Sequence, residues 1–197
     1  QAQQIINTLK NARFEAYAVG GSVRDLALAR PTKGWDFTTN ATPEEILALF
    51  PDSFYDNQFG TVGVKIYKPS AISHQLSADI EDIYEVTTYR SEGGYSDRRH
   101  PDNITWGKTI EEDLARRDFT VNAIAYDGQK IIDPYDGQGD IERKIVKAVG
   151  DPAKRFTEDA LRMMRAVRIA TELGFMIEPA TLDAIKGNVA LLKAISA

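Results

Sequence analysis

The sequence predicts an α+β protein, with a mixed β-sheet flanked by helices over residues 1–148 and an all-helical part over residues 149–197. Residues 62–67 and 84–89 favour the sheet, because they are rich in Thr, Val, Tyr and Ile, which suit half-buried strands. From about Asp151 onward the pattern is helical throughout. We find no internal repeat and no low-complexity tract, so one α+β unit with a helical extension is the predicted organisation.

Helices and strands alternate in the first part of the chain. Residues 3–13 are predicted to be helical because their apolar residues fall on one side. Thr42 is a good N-cap and Pro43 suits the first helical position, with two glutamates next at the positive helix end, so a helix should run to about Phe50. The other elements expected here are a strand over 15–19, a helix that includes 22–26 and a strand over 35–38.

Three later segments have the composition of loops. Residues 68–82 are expected to form a loop or hairpin excursion, 91–103 a mobile loop and 127–140 a turn region. A helix is expected to begin near Ile110, ahead of residues 119–125.

Composition and charge exclude several classes of protein. The chain has no cysteine, so disulfide scaffolds, thiolate zinc sites and cysteine nucleophiles are excluded, and two histidines do not favour a histidine-rich metal site. The net charge of −5 argues against a surface built to coat nucleic acid, but not against a local basic groove. No apolar run approaches the roughly 18–20 residues of a membrane span, and the N-terminus does not resemble a signal peptide, so we expect a cytoplasmic protein without a membrane partner. Any bound metal should be a hard cation such as Mg²⁺, held by carboxylates.

The turn between the first predicted strand and the next helix could bind phosphate. Its sequence is Gly20-Gly21-Ser22-Val23-Arg24-Asp25. Two glycines let the backbone approach an anion, a helix start offers unpaired N–H donors, and the Ser22 hydroxyl and the Arg24 guanidinium can reach phosphate oxygens. The alternative is that the two glycines serve only the packing of strand and helix.

Two carboxylates could hold a metal ion against such a phosphate. Asp36 lies in the short strand over 35–38 and Glu85 in the strand over 84–89, so the two are close if those strands are neighbours. Two-metal phosphoryl transfer needs at least two carboxylates, to bridge the metals and activate the attacking hydroxyl. The alternatives are a turn or cap residue for Asp36 and a solvent-facing strand residue for Glu85.

These motifs resemble one known family. The glycine–arginine turn, the strand with Asp36 and the following Ala41-Thr42-Pro43 are similar to the class II nucleotidyltransferases, which comprise the CCA-adding tRNA nucleotidyltransferases and the bacterial poly(A) polymerases of the polymerase-β-like superfamily. Three later segments resemble the family's arginine-pair motif, its head–neck connector and its base-reading helix, in that order: Arg116 to Ala123, Asp133 to Ile141, and Glu158 to Arg168. The resemblance runs from about Tyr17 to Leu192.

The resemblance implies a polymerase-β-like catalytic head over 1–148 and a nucleobase-recognising helical neck over 149–197. It implies template-independent addition of CMP and AMP, from CTP and ATP, to the 3′ end of tRNA, with Mg²⁺ as cofactor. Family members continue into further helical domains that grip tRNA, which residues 1–197 do not include, so we expect weak tRNA binding. Two alternatives stay open: an A-adding, CC-adding or poly(A)-forming enzyme of the same fold, and an inactive protein that binds nucleotide or RNA.

One position departs from the family pattern. Family members carry two Mg²⁺-binding aspartates separated by one residue, and counting forward from Arg24 puts Gly34 at the first of them, so only Asp36 matches. Glycine has no ligand oxygen, so the metal site has lost a charge and a coordinating group. Catalysis by this chain is therefore an open question, although the architecture for it remains.

Residues 158–168 are predicted to form one amphipathic helix. A helical wheel places the apolar residues on a side expected to face the core and the charged residues elsewhere; the apolar set is Ala160, Met163, Met164, Val167 and Ala170. The resemblance implies that Asp159 and Arg162 select cytosine and adenine, because both bases present an amino donor beside a ring-nitrogen acceptor. It implies that Arg165 and Arg168 face the phosphates or orient Asp159. The alternative is a solvated face of weak salt bridges.

The arginine pair and the glycine-rich loop complete the implied site. The resemblance makes Arg117 a nucleotide contact and places Asp118 and Asn122 near the sugar, where they bind or orient it. The alternative is a structural cluster of ion pairs. Residues 91–101 match the family's flexible loop beside the active site, which is proposed to reshape the pocket between C and A addition; the alternative is a disordered surface loop.

Overall fold

The computed structural model describes residues 1–32, 34–57, 60–67, 80–96 and 101–194, and within them the predicted α+β fold is confirmed. Most of the excursion predicted over 68–82, and residues 97–100 of the loop predicted over 91–103, lie outside the described residues. No helix in the described ranges is long and apolar enough to cross a membrane.

A seven-stranded mixed sheet forms the centre of the fold. Its strands are β1 (Ala16–Val19), β2 (Asp36–Thr39), β3 (Ser53–Asn57), β4 (Thr61–Tyr67), β5 (Ile80–Thr88), β8 (Ala125–Tyr126) and β9 (Ile131–Ile132), in the spatial order β3-β4-β5-β2-β1-β8-β9. Neighbouring strands are antiparallel except β2 and β5, which are parallel. The parallel pair aligns Asp36 with Glu85, so the condition on which these two carboxylates were expected to be close, that their strands are neighbours, is met.

Among the described residues, five helices flank this sheet, and the first four contact its strands directly. They are α1 (Ala2–Asn11), α2 (Gly21–Ala27), α3 (Pro43–Leu49), α4 (Ile110–Ala115) and α5 (Gly137–Arg143). The predicted start of α3 is confirmed in detail, because Thr42 Oγ1 accepts a hydrogen bond from the Glu45 N–H while Glu45 Oε2 accepts one from the Thr42 N–H. The buried core beneath the helices includes Leu9, Phe37 and Val86.

The C-terminal part is helical apart from one short strand. It contains α6 (Pro152–Glu158), α7 (Leu161–Leu173), α8 (Pro179–Asn188) and a final 3₁₀ segment, Val189–Ala194. The expectation of helix throughout is wrong at β11 (Met176–Ile177), which pairs in parallel with β10 (Ile145–Val146). Gly174 ends α7 in the left-handed conformation, at φ +68°, and the chain continues as this strand. The pairing crosses the boundary predicted at residue 148, which stays a prediction.

Two segments with loop composition contain regular structure. The turn region predicted over 127–140 holds β9 and the first turn of α5, whose backbone is supported by Asp133: its carboxylate accepts from the Gly137 N–H at 2.7 Å. The ends of the predicted mobile loop form a two-stranded hairpin, β6 (Arg90–Gly93) with β7 (Asn103–Trp106). These short elements are hard to predict because glycine and polar residues, which are typical of turns, also cap helices and allow the backbone to pack closely.

Candidate functional site

The site is built around the glycine turn that follows β1. Gly20 has a φ of +75°, and a Cβ there would lie 3.2 Å from Arg117 Nη1 and 3.6 Å from Asp36 Oδ2. Asp36 begins β2 directly across from Val19, the last residue of β1. Glycine suits this turn because residues with a side chain rarely adopt this φ and because a Cβ would be tight against the end of the Arg117 side chain.

Two cavities meet at this point. The first cavity, with a volume of about 420 Å³, lies between the turn, Arg117 and the start of α7, and includes Asp159 and Arg162 in its wall. The second cavity, of about 650 Å³, lies between α2, the chain before β2 and the outer part of α7. Gly21, Asp36, Asn122 and Arg165 belong to the walls of both.

The walls of the two cavities are rich in arginine. Together they contain eight arginines and five carboxylates among the described residues, although the chain as a whole carries a net charge of −5. The sequence did not predict a local basic groove; its net charge only left one possible. The structure places one at the junction of the sheet and the C-terminal helices.

The arginine pair is anchored by a carboxylate that the sequence analysis did not single out. Asp113 on α4 is fully buried and accepts hydrogen bonds from Arg116 at 3.0 and 2.6 Å and from Arg117 at 3.0 Å. Burial alone would raise the pKa of Asp113, but the two guanidinium groups hold it below its usual range. Arg117 is thus a fixed cation of the first cavity.

Asp113→Asn should lower the free energy of unfolding at pH 7 by about 3 kcal/mol, because two guanidinium groups lose the charge that they face. Folding lowers the pKa of Asp113, so the stabilisation by its charge is complete above the unfolded-state pKa near 3.9. This stabilisation is lost as the pH falls through the lower folded-state pKa. Urea denaturation at pH 7, 5 and 3 measures both effects. Glu111→Gln, on the exposed side of the same helix, is the matched control. A difference between Asp113→Asn and wild type that does not shrink below pH 4 would contradict the role of the charge.

A chain of hydrogen bonds joins the glycine turn, the arginine pair and α7. Asp118 accepts from the Asn122 side chain at 3.1 Å and from Arg165 Nε at 2.7 Å. Asn122 Oδ1 in turn accepts from Arg24 Nη1 at 2.8 Å. The Asp118 charge is the main reason why the pKa of Arg165 is raised, so this guanidinium is firmly charged. The structure therefore brings four of the predicted site residues into one network.

Two residues of the glycine turn are already engaged within the protein. Ser22 is buried and its hydroxyl donates to the Val19 carbonyl at 3.0 Å, which ties the start of α2 to the end of β1. Arg24 donates to Asp25 at 2.9 and 3.0 Å as well as to Asn122, and its side chain borders the second cavity. A phosphate in that cavity would meet an arginine whose orientation is already set.

The prediction of one helix over 158–168 is wrong. Helix α6 ends at Glu158, Asp159 is extended with φ −134° and ψ 105°, and α7 begins at Leu161. The Asp159 carboxylate accepts from the Leu161 N–H at 2.9 Å, a local bond that competes with helix continuation. The predicted neighbours nevertheless stay together, since Asp159 Oδ2 lies 3.9 Å from Arg162 Nε.

The break also changes which side of α7 faces the core. Met164 and Val167, expected in the core, are 56% and 48% exposed, whereas Arg162, expected on the charged side, is only 7% exposed. Arg168 projects at the second cavity and makes no hydrogen bond or ion pair with another residue of the described ranges. The helical wheel was therefore correct for Ala160 and Met163, which are buried, and wrong for Met164, Val167 and Arg162.

The carboxylates available to a metal ion are few. Burial in the cleft raises the pKa of Asp36, while Arg117 and Arg165 act in the opposite direction. Glu85 is exposed and borders neither cavity. Gly34 borders the second cavity with φ +76°, and a Cβ there would meet no atom within 4 Å. Within the described residues, no cluster of three or more metal-ligating side chains is found.

Several residues of the cavity walls were missed by the sequence analysis. In the first cavity they are Arg90, Tyr95 and Arg116, and in the second Arg30, which donates to the Glu172 carbonyl at 3.3 Å. Tyr95 belongs to the predicted 91–101 loop, which thereby reaches the first cavity. Arg116 was visible in its doublet with Arg117 and Tyr95 in its loop, but no sequence signal distinguished Arg90 and Arg30 from ordinary surface residues.

Comparison with known families gives this geometry a context. The family model described as the poly A polymerase head domain matches residues 16–147, well over half of the chain. The chain belongs to the poly A polymerase head domain family. Membership confirms the predicted family and accounts for the mixed sheet with flanking helices.

Relatives of this head-domain chain include CCA-adding enzymes. The chain is 49% identical over 199 residues to that of Lactobacillus helveticus and 47% identical over 198 residues to that of Geobacillus stearothermophilus, and both matches cover 100% of this chain but 46% of the relative. Among solved structures, the Bacillus stearothermophilus CCA-adding enzyme in complex with CTP matches with a TM-score of 0.83 and 43% identity, over 99% of this chain and 44% of that one. The chain thus spans less than half the length of these relatives.

Proposed function

We propose that the chain is the nucleotidyltransferase part of an enzyme that adds CMP and AMP, from CTP and ATP, to the 3′ end of tRNA. In this proposal residues 1–148 form the catalytic head and residues 149–197 the neck that selects the base. The observation that carries it is the position of Asp36 between a cavity with the Asp159–Arg162 pair and a cavity with unpaired and oriented arginines. The CCA-adding relatives, which include one in complex with CTP, support the same reading.

The first cavity is the proposed base subsite. The Asp159 carboxylate accepts from the exocyclic amino group of cytosine or adenine, and Arg162 donates to the adjacent ring nitrogen. Uracil and guanine offer a carbonyl and an N–H at these positions, so the same pair would face unpaired polar groups. Arg117, held by Asp113 at the other side of the cavity, is placed to contact the sugar or the first phosphate.

The second cavity is the proposed phosphate subsite. Gly21 lets a phosphate approach the backbone at the start of α2, and Arg24 is held in place beside it. Arg168 has a free guanidinium, so it can take phosphate oxygens without giving up a partner among the described residues. Arg165 borders both cavities and joins the two subsites.

The donor set fits a Mg²⁺ ion that the nucleotide's own phosphates help to hold. Such ions commonly bind through one or two protein carboxylates together with substrate phosphates, and Asp36 supplies one carboxylate at the wall of both cavities. Its register neighbour Glu85 borders neither cavity, and Gly34 supplies no ligand. When bound, the ion would acidify the attacking 3′-hydroxyl and neutralise the leaving pyrophosphate.

The chain's own residues align the reactants. The arginines hold the triphosphate so that its α-phosphorus lies beside Asp36, and Asp159 with Arg162 fixes the base. The 3′-oxygen then forms a bond to the α-phosphorus as the bond to the bridging oxygen breaks, pyrophosphate leaves, and the hydroxyl proton passes to solvent. Alignment of this kind supplies much of the catalysis in phosphoryl transfer.

Gly34 favours a second candidate function, nucleotide or RNA binding without transfer. All contacts proposed for the base and the phosphates are independent of Gly34, whereas the ion would have one fewer carboxylate ligand. Within the first candidate, enzymes that add only A, only CC or a poly(A) tail use the same base subsite.

Incorporation of labelled CTP and ATP into tRNA transcripts that lack CCA, CC or only A tests these candidates. CCA addition predicts CTP incorporation on the first transcript and ATP incorporation on the third. Incorporation of one nucleotide only indicates a partial-specificity enzyme. If CTP binds in equilibrium dialysis but neither nucleotide is incorporated at any Mg²⁺ concentration, this chain is a binder rather than a transferase.

A further inference from the structure

Three charged side chains behind the first cavity join the C-terminal helices to the sheet domain. Glu158 accepts a hydrogen bond from Arg162 Nη1 at 3.1 Å, and its other oxygen lies 3.2 Å from Arg155 Nη2. Both arginines also donate to backbone carbonyls, Arg155 to Ala115 at 3.4 Å and Arg162 to Arg116 at 3.3 Å. We call Arg155, Glu158 and Arg162 the brace.

The two carbonyls stand at the C-terminal end of α4. The last carbonyls of a helix have no partner within it and carry partial negative charge, so arginines are favoured there. The next residue along the chain is Arg117, which Asp113 holds from within α4. The brace therefore sets the start of α7 against the same segment that presents Arg117 to the first cavity.

Arg162 is held in one orientation before any ligand arrives. Its side chain is almost completely buried, and two of its five N–H donors are taken by Glu158 and by the Arg116 carbonyl. The Nε side faces Asp159 at 3.9 Å and the first cavity. A free arginine loses much rotamer freedom when a ligand fixes it, and here folding has already removed that freedom.

We propose that Glu158 and Arg155 are positioning residues for base selection. They border a separate cavity of about 240 Å³ and not the first cavity, so they act on the base only through Arg162. The inference rests on the proposed function, in which Arg162 donates to the ring nitrogen. Loosening the brace should therefore weaken recognition of cytosine and adenine without weakening the hold on phosphate.

Glu158→Gln tests this because it keeps the shape of the side chain and removes its charge. Calorimetric titration should show about a fivefold loss of affinity for CTP and ATP, the cost of ordering a loosened arginine. Affinities for UTP and for pyrophosphate, which do not use Arg162, should stay within about twofold of wild type. Arg155→Lys, which cannot keep both of the Arg155 contacts, should likewise lower the affinities for CTP and ATP and leave those for UTP and pyrophosphate nearly unchanged. Asp183→Asn, which removes the carboxylate of an exposed surface pair with Lys186 on α8, is the control.

A spectroscopic measurement separates positioning from folding and from the proposed function. The side-chain N–H signal of Arg162, assigned by its absence in Arg162→Lys, should be sharp in wild type and broadened in Glu158→Gln. If Glu158→Gln lowers the affinities for CTP, UTP and pyrophosphate equally, or leaves both the CTP affinity and the Arg162 signal unchanged, positioning is overturned. If wild type does not prefer CTP to UTP, base selection itself fails, and the proposal fails with it even when the signal behaves as expected.

Discussion

Gly34→Asp should raise the rate of nucleotide transfer by about 100-fold, which is the typical value of one well-placed electrostatic group in a transition state. The new carboxylate would stand two residues from Asp36 and restore the pair of metal ligands that the family pattern contains. A Cβ at this position meets no atom within 4 Å, so the side chain has room at the second cavity. The φ of +76° is one that aspartate tolerates better than most residues, at a cost of about 1 kcal/mol.

Gly150→Asp is the matched control for this substitution. Gly150 has a φ of +70° and equally open surroundings, and it borders neither cavity, so the backbone strain is the same but no ligand is added to the site. Transfer is measured with labelled CTP on a tRNA transcript without CCA, and metal binding with Mn²⁺ by electron paramagnetic resonance. Tighter Mn²⁺ binding in Gly34→Asp without faster transfer would disprove the proposal that the chain is a nucleotidyltransferase. An unchanged Mn²⁺ affinity would show instead that residue 34 does not reach the metal.

Asp159→Asn should reduce the preference for CTP over UTP by roughly 100-fold, the upper end of what one bidentate base contact discriminates. One carboxylate oxygen accepts from the Leu161 N–H, and an asparagine oxygen can keep that bond. The other position then changes from an acceptor to an N–H donor, which opposes the amino group of cytosine and suits the carbonyl of uracil. The start of α7 should therefore survive while most of the preference for cytosine is lost.

The measurement compares CTP and UTP affinities of Asp159→Asn with those of wild type. Asp159→Ala is the second variant, since it removes the cap as well as the base contact and should lower the melting temperature, which Asp159→Asn should not. If Asp159→Asn keeps the wild-type preference for CTP, Asp159 does not read the base. A loss of affinity for both nucleotides with no change in their ratio would contradict the assignment equally.

Short-range patterns predicted much of the fold. The capping box at Thr42 and the glycine turn at Gly20 depend on interactions within a few residues, the run over 84–89 is marked by its local composition, and the structure contains all three. The alignment of Asp36 with Glu85 was predicted only on condition that their strands are neighbours. The roles of the site residues came from family resemblance and stay proposals.

Three features of the site could not be found in the sequence. The wheel for residues 158–168 assumed an unbroken helix, and no Gly or Pro marks the break at Asp159, which is caused by one side-chain hydrogen bond. Asp113 follows two exposed glutamates and resembles them in sequence, yet two arginines three and four residues later make it a buried anion. The hold of Glu158 on Arg162 likewise depends on the end of α4, more than 40 residues away.

Under the proposed function, the excess of arginine around the two cavities affects how the substrate arrives and how the product leaves. The chain carries a net charge of −5, whereas arginines outnumber carboxylates in the walls of the two cavities, and low-dielectric walls concentrate the field of such charges. Encounter is therefore directed to one entrance, and its rate depends on ionic strength. Under the proposed function the same field would retain pyrophosphate after transfer, so the product would have to leave against the attraction that brought the substrate in.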